Sequence, residues 1–261
     1  RFASDVRLPR IIFASVRLAP PRGRLIGFSR KGAQRQRGLL DLVVRDRWLA
    51  ALGETWWAAD HALTRAAPKF SGPDVADIDA RLTAALDGAE AETIFEQGDY
   101  EGETEGTSPL AATYSIAPTL HHSLEPPSAV ARFTGGRLEV WARTQVPDLA
   151  RAAAAKAGGV EPSEVTIYPM PVGDGSGSAF DLEAIAIAVE LARHARRPVN
   201  LSFPPATAQN QDWVRPPMLG RMSALPSREG RLRSWRARIV GQAGLGAAIA
   251  TAQNEEAPAF T

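Results

Sequence analysis

The stretch RLEVWARTQVPDLARAAAAKAGG, residues 137–159, decides how the fold is read. Its first part alternates. Leu138, Val140 and Ala142 fall on one face and Glu139 and Trp141 on the other, the two-residue period of a half-buried strand. An alanine-rich run follows almost at once, with Asp148 placed to cap a helix and Gly158-Gly159 placed to end it in the left-handed conformation glycine tolerates. Downstream, residues 165–170 read as a strand, 181–193 as a helix with Leu182, Ile185, Val189 and Ala192 on one face, and 199–203 as a strand, a β-α-β order. Residues 232–240 read as a final strand on which Leu232, Ser234, Arg236 and Arg238 alternate with Trp235, Ala237 and Ile239.

Upstream the texture differs. Residues 11–18, IIFASVRL, alternate apolar and smaller residues and stop at Ala19-Pro20-Pro21, a strand ended by a turn. Residues 39–44, LLDLVV, are apolar enough for a buried strand, and residues 54–67 carry Trp56, Trp57, Ala59, Leu63 and Ala66 at helical spacing behind Thr55 as N-cap. Pro68 closes this small unit. Residues 71–106 then read as an acidic, solvated connector holding one short helix over 77–86. The expected class is α+β, divided into 1–70, a connector over 71–106, a second domain over 107–245 and a tail over 246–261. No internal repeat is evident.

Composition bounds the function. With 261 residues, 44% hydrophobic and 23% charged, the chain is ordinary for a globular protein, and no apolar run approaches the roughly 20 residues a membrane-crossing helix needs. Opening at Arg1 without a methionine or an apolar leader suggests a processed or excised piece. The absence of cysteine excludes disulfides, iron–sulfur clusters and thiolate zinc sites, so an electron-carrying centre must belong to another chain or segment. The net charge of +1 hides an asymmetry: residues 1–47 are rich in arginine, whereas residues 71–105 hold eleven acids against the single Arg81. The arginines are scattered among Pro and Gly, which suits a solvated or subunit-facing surface and not nucleic-acid binding, where lysines and aromatics interleave along one element.

Four constellations are candidates for chemistry. The loop GDGSGS, residues 173–178, lies between an expected strand and helix, where backbone N–H groups can receive an oxyanion; a plain connecting loop is an equal reading of that spacing. It is not a dinucleotide fingerprint, since Val199 and Asn200 stand where an acid belongs, and it lacks the lysine of a P-loop. Neither Ser176 nor Ser178 has the flanking glycines of a nucleophile elbow. His121 and His122, adjacent on a strand, would point to opposite faces and could not share one metal without distortion. Glu125 in SLEPPSA is either a buried, functional carboxylate or an exposed turn carboxylate set by its two prolines, and spacing alone favours the exposed turn. Gln145 in TQVP follows a strand, where an amide can donate to a ligand or cap the next helix.

Taken together, these segments resemble the molybdopterin-binding large subunit of the xanthine dehydrogenase and aldehyde oxidase family, especially its isoquinoline oxidoreductase branch. FASDVRLPRIIFASVRLAPPRGRL (2–25) is similar to the start of the family's hammerhead domain, and ETWWAADHAL (54–63) to that domain's helix. HHSLEPPSAVARF (121–133) is similar to its Glu-Pro segment, EVWARTQVPD (139–148) to its Trp-x-x-Thr-Gln-x-Pro segment, and ARRPVNLSF (195–203) with DWVRPP (212–217) to the strand and Arg-Pro turn that follow. The resemblance runs over nearly all the chain up to Gly241, in the family's order. It implies a hammerhead-like domain over 1–70 and the first part of a molybdopterin-binding domain over 107–245.

The resemblance also implies a chemistry. A molybdenum–molybdopterin cofactor, in bacteria the cytosine dinucleotide form, hydroxylates an aldehyde or N-heterocycle carbon of a small substrate with oxygen from water. Electrons leave through a [2Fe–2S] small subunit. By position Gln145 matches the glutamine that hydrogen-bonds the molybdenum oxo ligand, and Glu125 the acid of the Glu-Pro segment. Gly173, Gly175 and Gly177 match glycines of the cofactor loop, with Ser176 among them. The loop departs from the family at Asp174 and Ser176, which stand at a glycine and the phenylalanine position. A carboxylate there repels an anionic cofactor by about 1 to 4 kcal/mol at about 4 Å. Two readings follow: a fragment or component of a large subunit, inactive without the remainder that carries the family's base, or a degenerate, non-catalytic structural or assembly module. A bacterial origin leaves cytoplasm and periplasm both open.

Overall fold

Strands far apart in the sequence meet in one sheet. The computed structural model describes residues 1–72, 77–88, 90–120, 122–173, 182–211 and 214–241. In chain order these form β1 (Ile12–Leu18), β2 (Leu25–Gly27), α1 (Arg30–Gln34), β3 (Leu39–Val44), β4 (Trp48–Gly53), α2 (Trp56–Ala66) and β5 (Lys69–Phe70). Next come α3 (Ile78–Asp87), α4 (Tyr100–Thr104), β6 (Leu110–Ile116), β7 (Ser128–Thr134), β8 (Arg137–Arg143), α5 (Pro147–Gly158) and β9 (Val165–Met170). The series closes with α6 (Glu183–Ala195), β10 (Val199–Ser202), α7 (Pro205–Asn210), β11 (Met218–Pro226) and β12 (Leu232–Gly241). This is the α+β class expected.

The described residues fall into two compact units, one drawn from 1–72, 122–173 and 182–211, the other from 77–120 and 214–241. The first is built on a mixed sheet in the order β3-β4-β1-β10-β7-β8-β9. Its pairs are antiparallel except β1 with β10, where Ile12 faces Val199, and β8 with β9. The compact units therefore cut across the linear division at 70 and 106. The cause is the backbone of β1: a strand buried on its faces must satisfy N–H and C=O groups along both edges, and β1 takes β4 on one side and β10 on the other.

Two apolar layers hold this sheet. Ile12, Ala14 and Val16 of β1, Ala50 and Leu52 of β4, and Leu138, Val140 and Ala142 of β8 face the buried sides of α5 and α6. On the opposite face Leu49 and Ala51 of β4 meet Ala59, Ala62 and Leu63 of α2. There the polar side of β1 is also tied down: Ser15 Oγ donates to Asp60 of α2 at 2.9 Å, and Arg17 pairs with the same carboxylate at 2.8 Å. Next to it, the turn at Ala3–Asp5 is held over β10 by Asn200 Nδ2, which donates to the carbonyls of Ser4 and Val6.

Several local expectations shift. β3 is an edge strand with only Leu42 and Val43 buried, because β4 occupies the position between the two helical layers. Trp57 points to solvent, stacked on His61, while Ala58 and Ala62 complete the buried face of α2. Asp148 does not cap α5. Pro147 takes the first helical position, where its fixed φ and missing N–H cost nothing, leaving Asp148 in the first turn. Gly159 ends α5 at φ +63°, as its sequence requires. The acidic stretch is more than a connector. α3, capped by Asp77, buries Leu82 and Leu86 within the second unit.

That second unit is an antiparallel sheet, β12-β11-β6, with α3 and α4 against one face. Ion pairs join them: Arg221 to Asp87 and Arg236 to Glu101, both at 2.7 Å.

Candidate functional site

Glu125 sits in the bend that leads into β7, and exposure reverses there within one residue. Leu124 is 95% exposed, whereas Glu125 is 7% exposed. The reading of Glu125 as an exposed turn carboxylate is thus corrected: Pro126 and Pro127 direct the chain into β7 and bring the carboxyl inward, with Pro127 continuing into a backbone bond to Phe203.

Two groups hold this residue. Gly173, just beyond β9, donates its N–H to Oε2 at 2.6 Å. Arg143, buried at the end of β8, donates to the Glu125 carbonyl and so fixes the bend from beneath. The remaining oxygen, Oε1, is buried with no partner among the described residues. Burial pushes the carboxyl pKa above its usual range, the Gly173 N–H and the Arg143 charge pull it back in part, and Asp5 adds to the rise. The carboxyl is held toward its neutral form, in which it offers an O–H donor as well as an acceptor.

Only glycine fits opposite it. A Cβ at 173 would lie 2.8 Å from the Glu125 Cβ and 3.1 Å from its Oε2, so the close approach of backbone to carboxyl depends on the missing side chain.

Gln145 lies two residues past Arg143 with its side chain at the surface. Thr144, itself buried, accepts from the Val146 N–H at 3.0 Å, and this turn sets the stretch between β8 and α5. The same sheet face carries Glu139 and Trp141 before Arg143. Arg132 pairs with Glu139 at 2.6 Å, and Trp141 stacks on Tyr168.

Of the residues expected from sequence, Glu125 and Gly173 are brought into contact and Gln145 stands near the same strand end. Asp174, Gly175, Ser176 and Gly177 lie outside the described residues, as does His121. His122 is not on a strand: its backbone is left-handed at φ +50°. Among the described residues no group of three His, Cys, Asp or Glu is arranged to hold a metal ion. Sequence alone did not point to Arg143 or Asp5. Arg143 had a signal, since extending the alternation of Glu139 and Trp141 by two residues puts it on the same face. Asp5 had none.

Known proteins share this fold. Residues 86–260 match the model of the molybdopterin cofactor-binding domain. A nicotinate dehydrogenase subunit from Pseudomonas putida is 27% identical over 218 residues, covering 77% of this chain and 18% of that protein. The aldehyde oxidoreductase molybdenum-binding subunit PaoC of Escherichia coli is 28% identical over 151 residues, 55% of this chain and 21% of the relative. In fold, quinoline 2-oxidoreductase from Pseudomonas putida 86 matches with a TM-score of 0.69 at 16% identity, over 92% of this chain and 37% of its own. The chain thus spans about a fifth of the length of the curated relatives it matches. No helix among the described residues is long and apolar enough to cross a membrane.

Proposed function

Since the chain belongs to the family defined by the molybdopterin cofactor-binding domain, we propose that it is a component of a molybdenum hydroxylase large subunit and forms one wall of its cofactor pocket. The observation that carries this is the Glu125 carboxyl: a buried oxygen with no described partner, beside a backbone that approaches closely because residue 173 is glycine. A buried acceptor left unpaired costs about 1 to 3 kcal/mol, so a ligand donor or acceptor at that oxygen stabilises the site. The unpaired oxygen suits a polar group better than an apolar one.

In this reading Glu125, kept toward its neutral form, holds a proton at Oε1 and directs it to the ligand or substrate. Arg143 is a positioning residue that fixes the Glu125 bend. Gln145, two residues past β8, would donate its amide to the cofactor, and Gly173, Gly175, Ser176 and Gly177 are the loop residues that would hold it. Bound molybdopterin supplies the two-electron redox centre for hydroxylating an aldehyde or N-heterocycle carbon, and the cytosine dinucleotide form is the expected one. A small subunit is the expected carrier of the iron–sulfur centres, in accord with a stretch that has no cysteine. The remainder of the large subunit completes the pocket. The matched relatives are bacterial, and either cytoplasm or periplasm is compatible with the reading.

The second reading, a non-catalytic module, is favoured by one sequence observation, the Asp174 and Ser176 substitutions in the loop. Elemental analysis of the full-length subunit, produced with its partner subunits, separates the two. About one molybdenum per subunit is expected, with Gln145→Ala lowering either content or turnover. A preparation that folds and assembles yet holds no molybdenum overturns the first reading in favour of the second.

A further inference from the structure

The three-stranded sheet leaves one apolar face open. Its pairing register places Trp235 and Ile239 of β12 opposite Ala224 and Gly220 of β11, which in turn face Leu110 and Tyr114 of β6. Side chains alternate across a sheet, so these six share one face, and the four large ones among them are exposed. The other face carries Arg221 and Arg236, and that is the one α3 and α4 cover, through their ion pairs with Asp87 and Glu101. The covered face mixes these charges with Leu219, Leu225 and Val240, whereas the open one is apolar.

A sheet normally buries its apolar face, and a soluble protein rarely leaves several large side chains in one contiguous apolar patch. Gly220 in the middle strand leaves a shallow trough between Ile239 and Tyr114, a place for a side chain of an opposing layer. The surface also lacks charge, so nothing in it selects an acidic or basic partner. In quinoline 2-oxidoreductase this fold makes up 37% of a longer chain, so the part not spanned here has ample length to supply that layer.

We infer that the open face of β12-β11-β6 is the docking surface for an apolar layer from the part of the same subunit that this chain does not span. The inference rests on reading the chain as a large-subunit component. It adds where the remainder attaches: on the second unit, through Trp235, Ile239, Leu110 and Tyr114. The layer docks face to face, leaving the ion pairs of α3 and α4 on the outer side.

The chain carries its own probes. Of its three methionines, Met218 and Met222 stand on this face, paired with Gly241 and Ala237. In the full-length subunit, purified with its partners, peroxide is expected to oxidise Met222 at least about tenfold more slowly than after unfolding in urea. Photo-methionine incorporated in place of methionine keeps the side chain nearly isosteric, and its cross-links from 218 and 222 are expected to reach segments of the same chain outside the 261 residues. Oxidation at the unfolded rate overturns the inference. So do cross-links to a second copy, cross-links to another subunit, or protection without any cross-link into the remainder. Molybdenum measured on the same preparation separates this outcome from the functional reading: protected methionines without molybdenum defeat only the function, and molybdenum with unprotected methionines defeats only the docking surface.

Discussion

β4 and β6 are strands of similar length and similar apolar character, WLAALG and LAATYSI, with opposite fates. Every residue of β4 is buried and every residue of β6 is exposed. The difference lies in position. β4 runs between two helical layers, with Ala50 and Leu52 on one face and Leu49 and Ala51 on the other, and both its edges are paired. β6 is the edge of a sheet covered on one face only, and its own residues lie beyond that cover. Apolar sequence marks a strand that is to be buried; it does not say that the burying layer is part of the same stretch of chain.

Three substitutions test that contrast. The largest effect belongs to β4. Leu49→Ala removes a fully buried side chain between β4 and α2, and urea unfolding of the 261-residue chain should show a loss of about 2 to 5 kcal/mol. A loss below about 1 kcal/mol would mean the layer under α2 is loose and the contrast with β6 overstated.

An intermediate effect is expected at Glu125. Its folded pKa is raised, so the folded state binds the proton more tightly than the unfolded chain does. The resulting stabilisation is fully present below the unfolded carboxyl's pKa and is lost as pH rises through the higher folded value. Glu125→Gln keeps an acceptor for the Gly173 N–H and removes the titration. Urea midpoints taken from about pH 4 to about pH 7 should fall more in the parent than in the variant. Parallel profiles would show that burial does not govern this carboxyl.

The smallest effect is predicted on the open sheet. Ile239→Thr in the 261-residue chain should change stability by no more than about 0.5 kcal/mol, because the side chain makes little buried contact there. The same substitution in the full-length subunit is expected to cost several times more. Equal costs in both would dissolve the distinction between a strand already covered and one awaiting its cover.

Much of the first unit was legible from pattern alone. The alternation of Leu138, Val140 and Ala142 located β8, Thr55 the start of α2, and Gly159 the end of α5. β4 escaped because a strand buried on both faces loses its two-residue period, so WLAALG carries no alternation to find. The strand order was not legible either, since pairing β1 with β10 depends on which edge remains free after β4 is placed. At the site, Glu125 and Gly173 were each singled out, yet their contact spans 48 residues and follows only from β7, β8 and β9 lying side by side. Whether Glu125 was buried turned on the direction the two prolines gave the chain, which composition does not encode.

The bond from Asn200 back to Ser4 crosses 196 residues of sequence. During synthesis at about 5 to 20 residues per second, β1 would emerge roughly 10 to 40 seconds before the strand that closes its second edge. Its hairpin-like neighbour β4 arrives early and shields one side only. For that interval Ile12, Ala14 and Val16 present an apolar, half-paired strand to the surroundings, which makes β1 a segment that depends on chaperones.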